Sequence, residues 1–194
     1  MIPESLKIRV RKILLPLARF FSKVHPNLLT FTGFLITCVA SFFYARGIFW
    51  LGGITLLVGG LFDTLDGEVA KLSGKQSKFG AFLDSCLDRY SDFIILFGMF
   101  LWYFHKDSDK SEFPTILVLL GILGSYTVSY AKARAESLGC ECKVGLGERA
   151  FRIVLLIVGS FFGPDIFIGF LLLFVIITNA TGIYRMLWVW RKLK

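Results

Sequence analysis

Residues 63–92 read DTLDGEVAKLSGKQSKFGAFLDSCLDRYSD, with five aspartates between the apolar runs 47–62 and 93–105. A helix needs about 17 to 25 residues to cross the roughly 30 Å of hydrocarbon in a bilayer. Each of the two runs reaches that length only by including part of the charged stretch. A carboxylate at bilayer depth costs about 2.5 to 3.5 kcal/mol on insertion scales, so the five aspartates need a shared reason to persist.

The spacing of the aspartates supplies that reason. Asp63 and Asp66 are three positions apart, and Asp84 and Asp88 are four apart, so each pair lies on one face of a helix. Two helices joined by a loop can bring four carboxylates to one point, where they repel one another unless cations lie between them. Oxygen ligands select hard divalent ions, and two such ions promote in-line displacement at phosphorus. We predict a site for two Mg²⁺ or Mn²⁺ ions; intramembrane ion pairs with neighbouring basic residues are the alternative.

The composition places the chain in a membrane. Its hydrophobic content is 55% and its mean hydropathy is +0.68, which is more apolar than an ordinary soluble domain. Lipid cannot hydrogen-bond to an exposed backbone, so we predict an all-α integral membrane protein with six transmembrane helices. The apolar runs of these helices are 28–45, 47–62, 93–105, 113–131, 153–164 and 166–184.

Basic residues divide unequally between the two sides of these spans. Of the 22 lysines and arginines, 19 lie on the side that holds both termini and the charged half-spans. Because lysine and arginine are retained in the cytoplasm, the division predicts a multi-pass protein of the cell inner membrane, with its site and both termini cytoplasmic. The net charge of +8 then indicates contact with anionic membrane lipid, and a nucleic acid partner is not expected.

The N-terminal segment has a different pattern from the spans. Residues 3–21 carry apolar and basic side chains at helical spacing, which predicts an amphipathic helix in the cytoplasmic interface. A solvated basic tail is the alternative. We therefore predict a single membrane domain over 1–194, made of an interfacial helix at 1–23 and a six-helix bundle at 26–190.

One motif in the charged stretch resembles a known signature. It reads Asp63-x-x-Asp66-Gly67-x-x-Ala70-Lys71-x8-Gly80-x3-Asp84-x3-Asp88 and is similar to the signature of the CDP-alcohol phosphotransferase family. The family usually has Arg in place of Lys71; a lysine keeps the charge beside a diphosphate but lacks the bidentate fork. The resemblance implies an interfacial helix followed by six spans, a homodimer, and transfer of a phosphatidyl-type group from a CDP-linked lipid to a small alcohol, with release of CMP.

The resemblance also implies roles for individual residues. The metal ions would be bound by Asp63, Asp66, Asp84 and Asp88. Asp88 would in addition be the catalytic residue that takes the proton from the acceptor hydroxyl as its oxygen attacks the lipid-bearing β-phosphorus. The CDP-lipid would be bound by Pro26, Asn27, Leu28, Leu29, Gly67, Lys71, Ser77 and Gly80.

A second charged cluster bears on the acceptor. Basic residues at the ends of the last three spans fall at the same depth as the aspartates, namely Lys132, Arg134, Arg149, Arg152 and Arg185. A phosphorylated acceptor would be bound by such a cluster, because arginine offers paired donors to phosphate. Anchoring on the cytoplasmic side is the alternative for each of these residues.

The local sequences around these residues narrow the acceptor by resemblance. The stretches SKFGAFLDS at 77–85, KARAE at 132–136 and GERAFR at 147–152 are similar to the branch that makes phosphatidylinositol phosphate, or its archaeal ether-lipid counterpart, from inositol 1-phosphate. A phosphatidylglycerophosphate synthase using glycerol 3-phosphate is the alternative within the family. An ion-coupled transporter is the alternative from another class, but it predicts an internal repeat that we do not find.

Overall fold

The computed structural model describes residues 14–106 and 111–194, and these residues form helices joined by short connections. Residues 14–20 are helical and lead into a 3₁₀ turn at Phe21–Lys23. Six helices follow: α1 (Pro26–Ala45), α2 (Phe49–Ser73), α3 (Lys78–His105), α4 (Glu112–Ser137), α5 (Arg149–Ser160) and α6 (Gly163–Lys192). The described residues contain no strand, so the all-α prediction is confirmed.

Local signals set the ends of the helices around the charged stretch. His25 precedes α1 and its Nδ1 accepts a hydrogen bond from the Asn27 backbone N–H at 3.3 Å. Helix α2 ends at Gly74, whose φ of 65° is left-handed and favours glycine. Ser77 starts α3, because its Oγ accepts from the Gly80 N–H at 2.9 Å. The connection between the two acidic helices is therefore only residues 74–77, which keeps their charged ends together.

Within residues 14–106 and 111–194, four helices are long and apolar enough to cross a membrane, namely α1, α2, α4 and α6. Helix α3 has 28 residues, but its first half carries the charges of the 78–92 stretch. Helix α5 has 12 residues, or about 18 Å of helix, which is shorter than the predicted span. The chain turns after Ser160 instead of continuing to residue 164, and Gly163 takes a φ of 79° there. The count of six spans stays a prediction.

The bundle is closed at the end remote from the aspartates. Phe49 is buried between three aromatic rings, with centroid distances of 5.4 Å to Tyr44, 5.0 Å to Phe167 and 6.0 Å to Tyr103. The hydroxyls of Tyr44 and Ser160 are 2.7 Å apart, and the Tyr103 hydroxyl donates to the Pro164 carbonyl at 2.6 Å. These contacts join α1, α2, α3 and α6 at one end.

The predicted interfacial helix at 1–23 lies mostly outside the described residues. Within the described part, Leu14 and Ala18 are buried against Leu29, Leu65 and Val69. The described part of the N-terminal segment therefore packs on the start of α1 and on the charged half of α2. Its position in the membrane interface stays a prediction.

Candidate active site

Three of the four predicted metal ligands converge. Asp63 on α2 and Asp84 and Asp88 on α3 each offer a carboxylate oxygen, and these oxygens all lie within 4.8 Å of one another. All three side chains are partly buried. The i,i+4 spacing aims Asp84 and Asp88 to one side of α3, and the short 74–77 connection holds α2 opposite them. We name this group the aspartate cluster.

Asp66 lies close by but outside this group. Its side chain is 7% exposed, and its Oδ2 atom has no hydrogen-bond partner among the described residues. A buried carboxylate oxygen without a donor is costly unless a cation or another donor satisfies it. The aspartate cluster and the orphan oxygen of Asp66 therefore form a donor set that fits hard divalent ions.

A cavity of about 220 Å³ lies beside Asp66 and Asp84, between the start of α1, the second half of α2 and the start of α3. Six of the eight residues predicted to bind the CDP-lipid line it: Pro26, Asn27, Gly67, Lys71, Ser77 and Gly80. A Cβ atom on Gly80 would lie 3.0 Å from Ser77 Oγ and 3.2 Å from Asn27 Oδ1, so glycine allows these polar groups to approach. We name this space the polar cavity.

Leu28 and Leu29, the other two residues predicted to bind the CDP-lipid, do not line the polar cavity, and their role stays a prediction. Leu28 is 58% exposed on the outer surface of α1, and Leu29 is buried against Leu65 and Val69. Successive residues of a helix point about 100° apart, so four in a row cannot face one site. The residue that does face the cavity is Thr30, four positions after Pro26. Helical periodicity would have identified it.

Two other cavity residues were missed because they lie on the connection. Lys75 and Gln76 line the polar cavity beside Lys71. The Lys71 ammonium donates to Glu68 Oε1 at 2.8 Å, one turn earlier on α2, and the lysine side chain is 52% exposed. The positive charge of Lys75 favoured a contact with an anionic ligand. The sequence did not show, however, that the 74–77 connection directs this side chain toward the polar cavity.

A second cavity, of about 570 Å³, lies on the other side of the aspartate cluster between α1, α2, α3 and α5. Asp63, Asp88 and Arg149 form its polar end. The rest of its lining is mostly apolar or small, and Leu57 and Val154 on its wall are also exposed on the outer surface of the bundle. Sequence reasoning did not identify this apolar cavity, because its lining comes from four separate helices.

Of the five basic residues predicted to bind the acceptor phosphate, Arg149 is the one that reaches the aspartate cluster; Arg89 on α3 also lies there, with its Nη1 atom 3.5 Å from Asp88 Oδ2. The Nη1 atom of Arg149 lies 2.9 Å from Asp63 Oδ2 and 2.6 Å from Asp88 Oδ1. Only the Asp63 contact has hydrogen-bond geometry; the Asp88 contact is an ion pair. Arg149 therefore brings positive charge from α5 to carboxylates of both α2 and α3.

The other four basic residues do not join Arg149 at the cluster. Arg152 is 2% exposed and donates to Asp92 Oδ2 at 2.8 Å, and Arg185 is 3% exposed and donates to the carbonyls of Val128 and Val144 at 2.7 and 2.9 Å. Buried arginines with protein partners hold neighbouring elements together.

The structure thus separates the five basic residues, which the sequence analysis had placed at one depth along the membrane normal. Lys132 and Arg134 are exposed on α4, where Lys132 lies 4.0 Å from Glu136 and Arg134 donates to Ser137 Oγ at 3.4 Å. Sequence spacing specified the height of each residue along its helix but not its direction, and direction decides whether a side chain faces the site or the interior.

The comparison with protein families decides the class. A family model described as CDP-alcohol phosphatidyltransferase matches residues 23–189, which is most of the chain. The chain belongs to the CDP-alcohol phosphatidyltransferase family. It is therefore a transferase of substituted phosphate groups in phospholipid synthesis, and the predicted family and enzyme class are confirmed. With four helices suited to crossing a membrane, it is an integral membrane protein. The single domain over 1–194 stays a prediction.

Relatives in the family carry more specific names. The chain is 42% identical over 171 residues to archaetidylinositol phosphate synthase from Methanothermobacter thermautotrophicus, covering 86% of this chain and 83% of the relative. It is 43% identical over 141 residues to the Pyrococcus horikoshii protein of the same name, covering 72% and 70%. The predicted similarity to the inositol phosphate branch is thus confirmed as a similarity.

Solved structures agree in fold. The phosphatidylinositol phosphate synthase of Mycobacterium tuberculosis with CDP-DAG bound matches with a TM-score of 0.83 at 28% identity, covering 92% of this chain and 94% of the other. The same synthase in complex with manganese and citrate matches with a TM-score of 0.82, covering 90% and 88%. The arrangement of helices found here is therefore that of a known membrane enzyme.

Proposed function

We propose that this transferase moves a phosphatidyl-type group from CDP-diacylglycerol, or its ether-lipid equivalent, to inositol 1-phosphate and releases CMP. The observation that carries the proposal is the position of the aspartate cluster between a polar cavity and an apolar cavity. A CDP-linked lipid has a polar and an apolar half joined at the diphosphate, so the reacting phosphorus would lie at the cluster. The names of the archaeal relatives support inositol phosphate as the acceptor.

The donor would be divided between the two cavities. Lys71 and Lys75 in the polar cavity supply positive charge for the diphosphate, and Asn27, Ser77 and the Gly80 backbone surround the nucleotide. The apolar cavity, with Leu57 and Val154 at its opening to the bilayer, would receive the start of a lipid chain. The CDP-DAG bound by the mycobacterial relative supports a donor of this class.

Asp63, Asp66, Asp84 and Asp88 would hold the two divalent ions, Mg²⁺ or Mn²⁺. When bound, such ions stabilise the negative charge that develops at phosphorus and on the departing CMP. The manganese in the mycobacterial relative supports this donor set. In the transfer, the acceptor oxygen forms a bond to the β-phosphorus, the bond from that phosphorus to the CMP oxygen breaks, and the acceptor proton moves to the Asp88 carboxylate.

The acceptor phosphate would be bound by Arg149, with Lys132 as a second cation. Among the residues predicted to bind this phosphate, Arg149 is the one that contacts the cluster, and Lys132 is exposed at the end of α4. Arg152 and Arg185 would support the site without touching the phosphate, since their guanidinium groups already have protein partners. These contacts hold α3, α4 and the 138–148 connection in place. Arg134 stays a predicted phosphate ligand without a contact to the cluster.

Orientation and assembly complete the proposal. The charge division of the sequence supports a site and termini on the cytoplasmic side of the inner membrane, where CDP-lipid and phosphorylated alcohol would meet. The chain would act as a homodimer, as the family resemblance implies. The family match supports the transferase over the transporter alternative.

The testing experiment measures CMP release. Purified protein with Mg²⁺ or Mn²⁺ is incubated with CDP-diacylglycerol or its ether analogue, and separately with inositol 1-phosphate, glycerol 3-phosphate or serine. We expect CMP with inositol 1-phosphate, and a loss of about 100-fold or more in kcat for Asp88→Asn. CMP with glycerol 3-phosphate alone would make the chain a phosphatidylglycerophosphate synthase, and no CMP with any acceptor would reject the proposal.

A further inference from the structure

Asp92 forms a buried charged network one helical turn beyond Asp88. Its Oδ2 atom accepts from Ser125 Oγ on α4 at 2.7 Å and from Arg152 Nη2 on α5 at 2.8 Å. Its Oδ1 atom lies 3.5 Å from Arg149 Nε. The side chain is 7% exposed and that of Arg152 is 2% exposed. One carboxylate of α3 therefore contacts α4 and both arginines of α5.

The surroundings of this network are apolar. A small space beside it is lined by Asp92, Arg152, Ile95, Leu96, Ile153, Leu156 and Phe174. A charge pair in such an environment is costly to desolvate. Replacing it with a well-packed apolar pair often leaves the stability of the folded protein unchanged or higher. The aspartate in the network thus needs a reason other than stability alone.

The geometry of α3 and α5 supplies that reason. No Cα atom of α3 comes within 8 Å of a Cα atom of α5, although both helices are fully described. Their side chains line opposite walls of the apolar cavity, with Asp88 and Ile95 on one wall and Arg149 and Ile153 on the other. Long charged side chains therefore connect the two helices across the cavity.

The connections form two rungs. Asp88 pairs with Arg149 at the aspartate cluster, and Asp92 pairs with Arg152 one turn deeper. Asp88 and Asp92 share one face of α3 because they are four residues apart, and Arg149 and Arg152 share one face of α5 because they are three apart. The Asp92–Arg152 pair thus fixes the distance between α3 and α5 and their relative shift along the helix axis. Both determine where the Arg149 side chain meets the aspartate cluster.

We propose that Asp92 is a positioning residue that, through Arg152 and Arg149, holds the α5 guanidinium where the acceptor phosphate binds. The inference rests on the proposed function, because it assigns the acceptor phosphate to Arg149. Asp92 itself does not touch the reacting atoms. Its loss acts mainly on acceptor binding, and it leaves the nucleotide half of the donor site unaffected, since the polar cavity is built from α1, α2 and the start of α3.

The test separates acceptor binding from donor binding. The KM values for inositol 1-phosphate and for CDP-lipid are measured for wild type, Asp92→Asn, Ser125→Ala and the double variant Asp92→Asn/Arg152→Gln, together with the thermal unfolding temperature in detergent. Asp165→Asn is the matched control, because Asp165 makes an exposed ion pair with Lys106 at 3.0 Å and its side chain is 81% exposed.

We expect Asp92→Asn to raise the acceptor KM about tenfold or more and to change the donor KM much less, because α5 forms one wall of the apolar cavity but no part of the polar cavity. Ser125→Ala removes one hydrogen bond and keeps the charge, so it raises the acceptor KM less and stays folded. The double variant removes both buried charges, so it recovers thermal stability while its acceptor KM stays high. Asp165→Asn leaves both KM values at wild-type levels.

Three results would overturn the inference. The first is an acceptor KM that is unchanged or lower in Asp92→Asn, since simple removal of a negative charge would favour phosphate. The second is recovery of both stability and acceptor KM in the double variant, which would make the role purely structural. The third is the absence of turnover with any phosphorylated acceptor in wild type. That result rejects the proposed function itself. It is distinguished from a failure of the Asp92 inference because it is seen in the wild-type protein, without any variant.

Discussion

At the scale of single residues, the four aspartates of the signature are not equivalent. Asp63, Asp84 and Asp88 share the aspartate cluster, whereas Asp66 lies beside it with a buried oxygen that has no hydrogen-bond partner in the described part of the chain. Carboxylates this close repel each other, and cations relieve that repulsion. Binding of divalent ions should therefore stabilise the folded protein independently of catalysis.

Metal addition tests this directly. We expect Mn²⁺ or Mg²⁺ to raise the thermal unfolding temperature of the purified protein, with a stabilisation of about 2.7 kcal/mol when the free ion is 100 times Kd. Asp84→Asn should reduce the shift, because one ligand is lost, and Asp165→Asn should keep it. An equal shift in wild type and Asp84→Asn would place the bound ion away from the aspartate cluster.

Lys71 is the position at which the chain departs from its family. Its ammonium is paired with Glu68 and lines the polar cavity. We expect Lys71→Ala to raise the donor KM about tenfold, because a charge-assisted contact to the diphosphate is lost, and Lys71→Arg to keep or lower it. Steady-state kinetics with varied CDP-lipid check this. Lys106→Ala, at the remote end of α3, is the control, and a changed acceptor KM in Lys71→Ala would contradict the assignment.

At the scale of elements, close contact between α1 and α3 supports the half of α3 that carries no charge. The Ser41 hydroxyl donates to the Ile94 carbonyl at 2.6 Å, and Gly98 lies against the Ser41 backbone. A Cβ atom at residue 98 would lie 2.3 Å from the Ser41 carbonyl oxygen, a distance that requires the helices to move apart. Glycine at this position therefore determines the spacing of the two helices.

Gly98→Ala should destabilise the protein by about 1 to 3 kcal/mol, which is typical of overpacking in a well-packed interior. Gly169→Ala on α6 is the matched control, because nothing lies within 4 Å of a Cβ atom there and its backbone is helical. Thermal unfolding in detergent measures both variants. Equal stability of the two would show that α1 and α3 are less tightly packed than described.

At the scale of the whole molecule, the bundle has a closed aromatic end and an open charged end. Phe49 and its aromatic neighbours close one end, while both cavities meet at the aspartate cluster toward the other. The side of the predicted spans that carries 19 of the 22 basic residues coincides with the charged end of the bundle. The predicted orientation therefore puts the site on the cytoplasmic side of the membrane.

Labelling of introduced cysteines tests this orientation. In a variant whose four native cysteines are replaced, Lys143→Cys on the 138–148 connection should react with a membrane-impermeant thiol reagent only from the cytoplasmic side. Lys106→Cys at the end of α3 should react only from the opposite side. Both positions are exposed or partly exposed, so accessibility does not limit labelling. Labelling of both from the same side would reject the orientation.

The sequence by itself determined the all-helical class, the family and most of the residues that line the polar cavity. Hydropathy and the spacing of acids within one helix are local properties, and the signature is nearly contiguous. Leu28 and Leu29 do not line that cavity with Pro26 and Asn27, because a helix turns each residue by about 100° and a run of four residues cannot share one face.

Only the tertiary structure decided the division of the basic residues and the existence of the apolar cavity. Arg149, Arg152 and Arg185 all lie at ends of predicted spans, yet one reaches the aspartate cluster and two are buried with other partners. Their directions depend on how α3, α4, α5 and α6 pack, which is set by contacts between residues far apart in the chain. The role of Asp92 could be inferred only from that packing, because its partners Ser125 and Arg152 lie on two other helices.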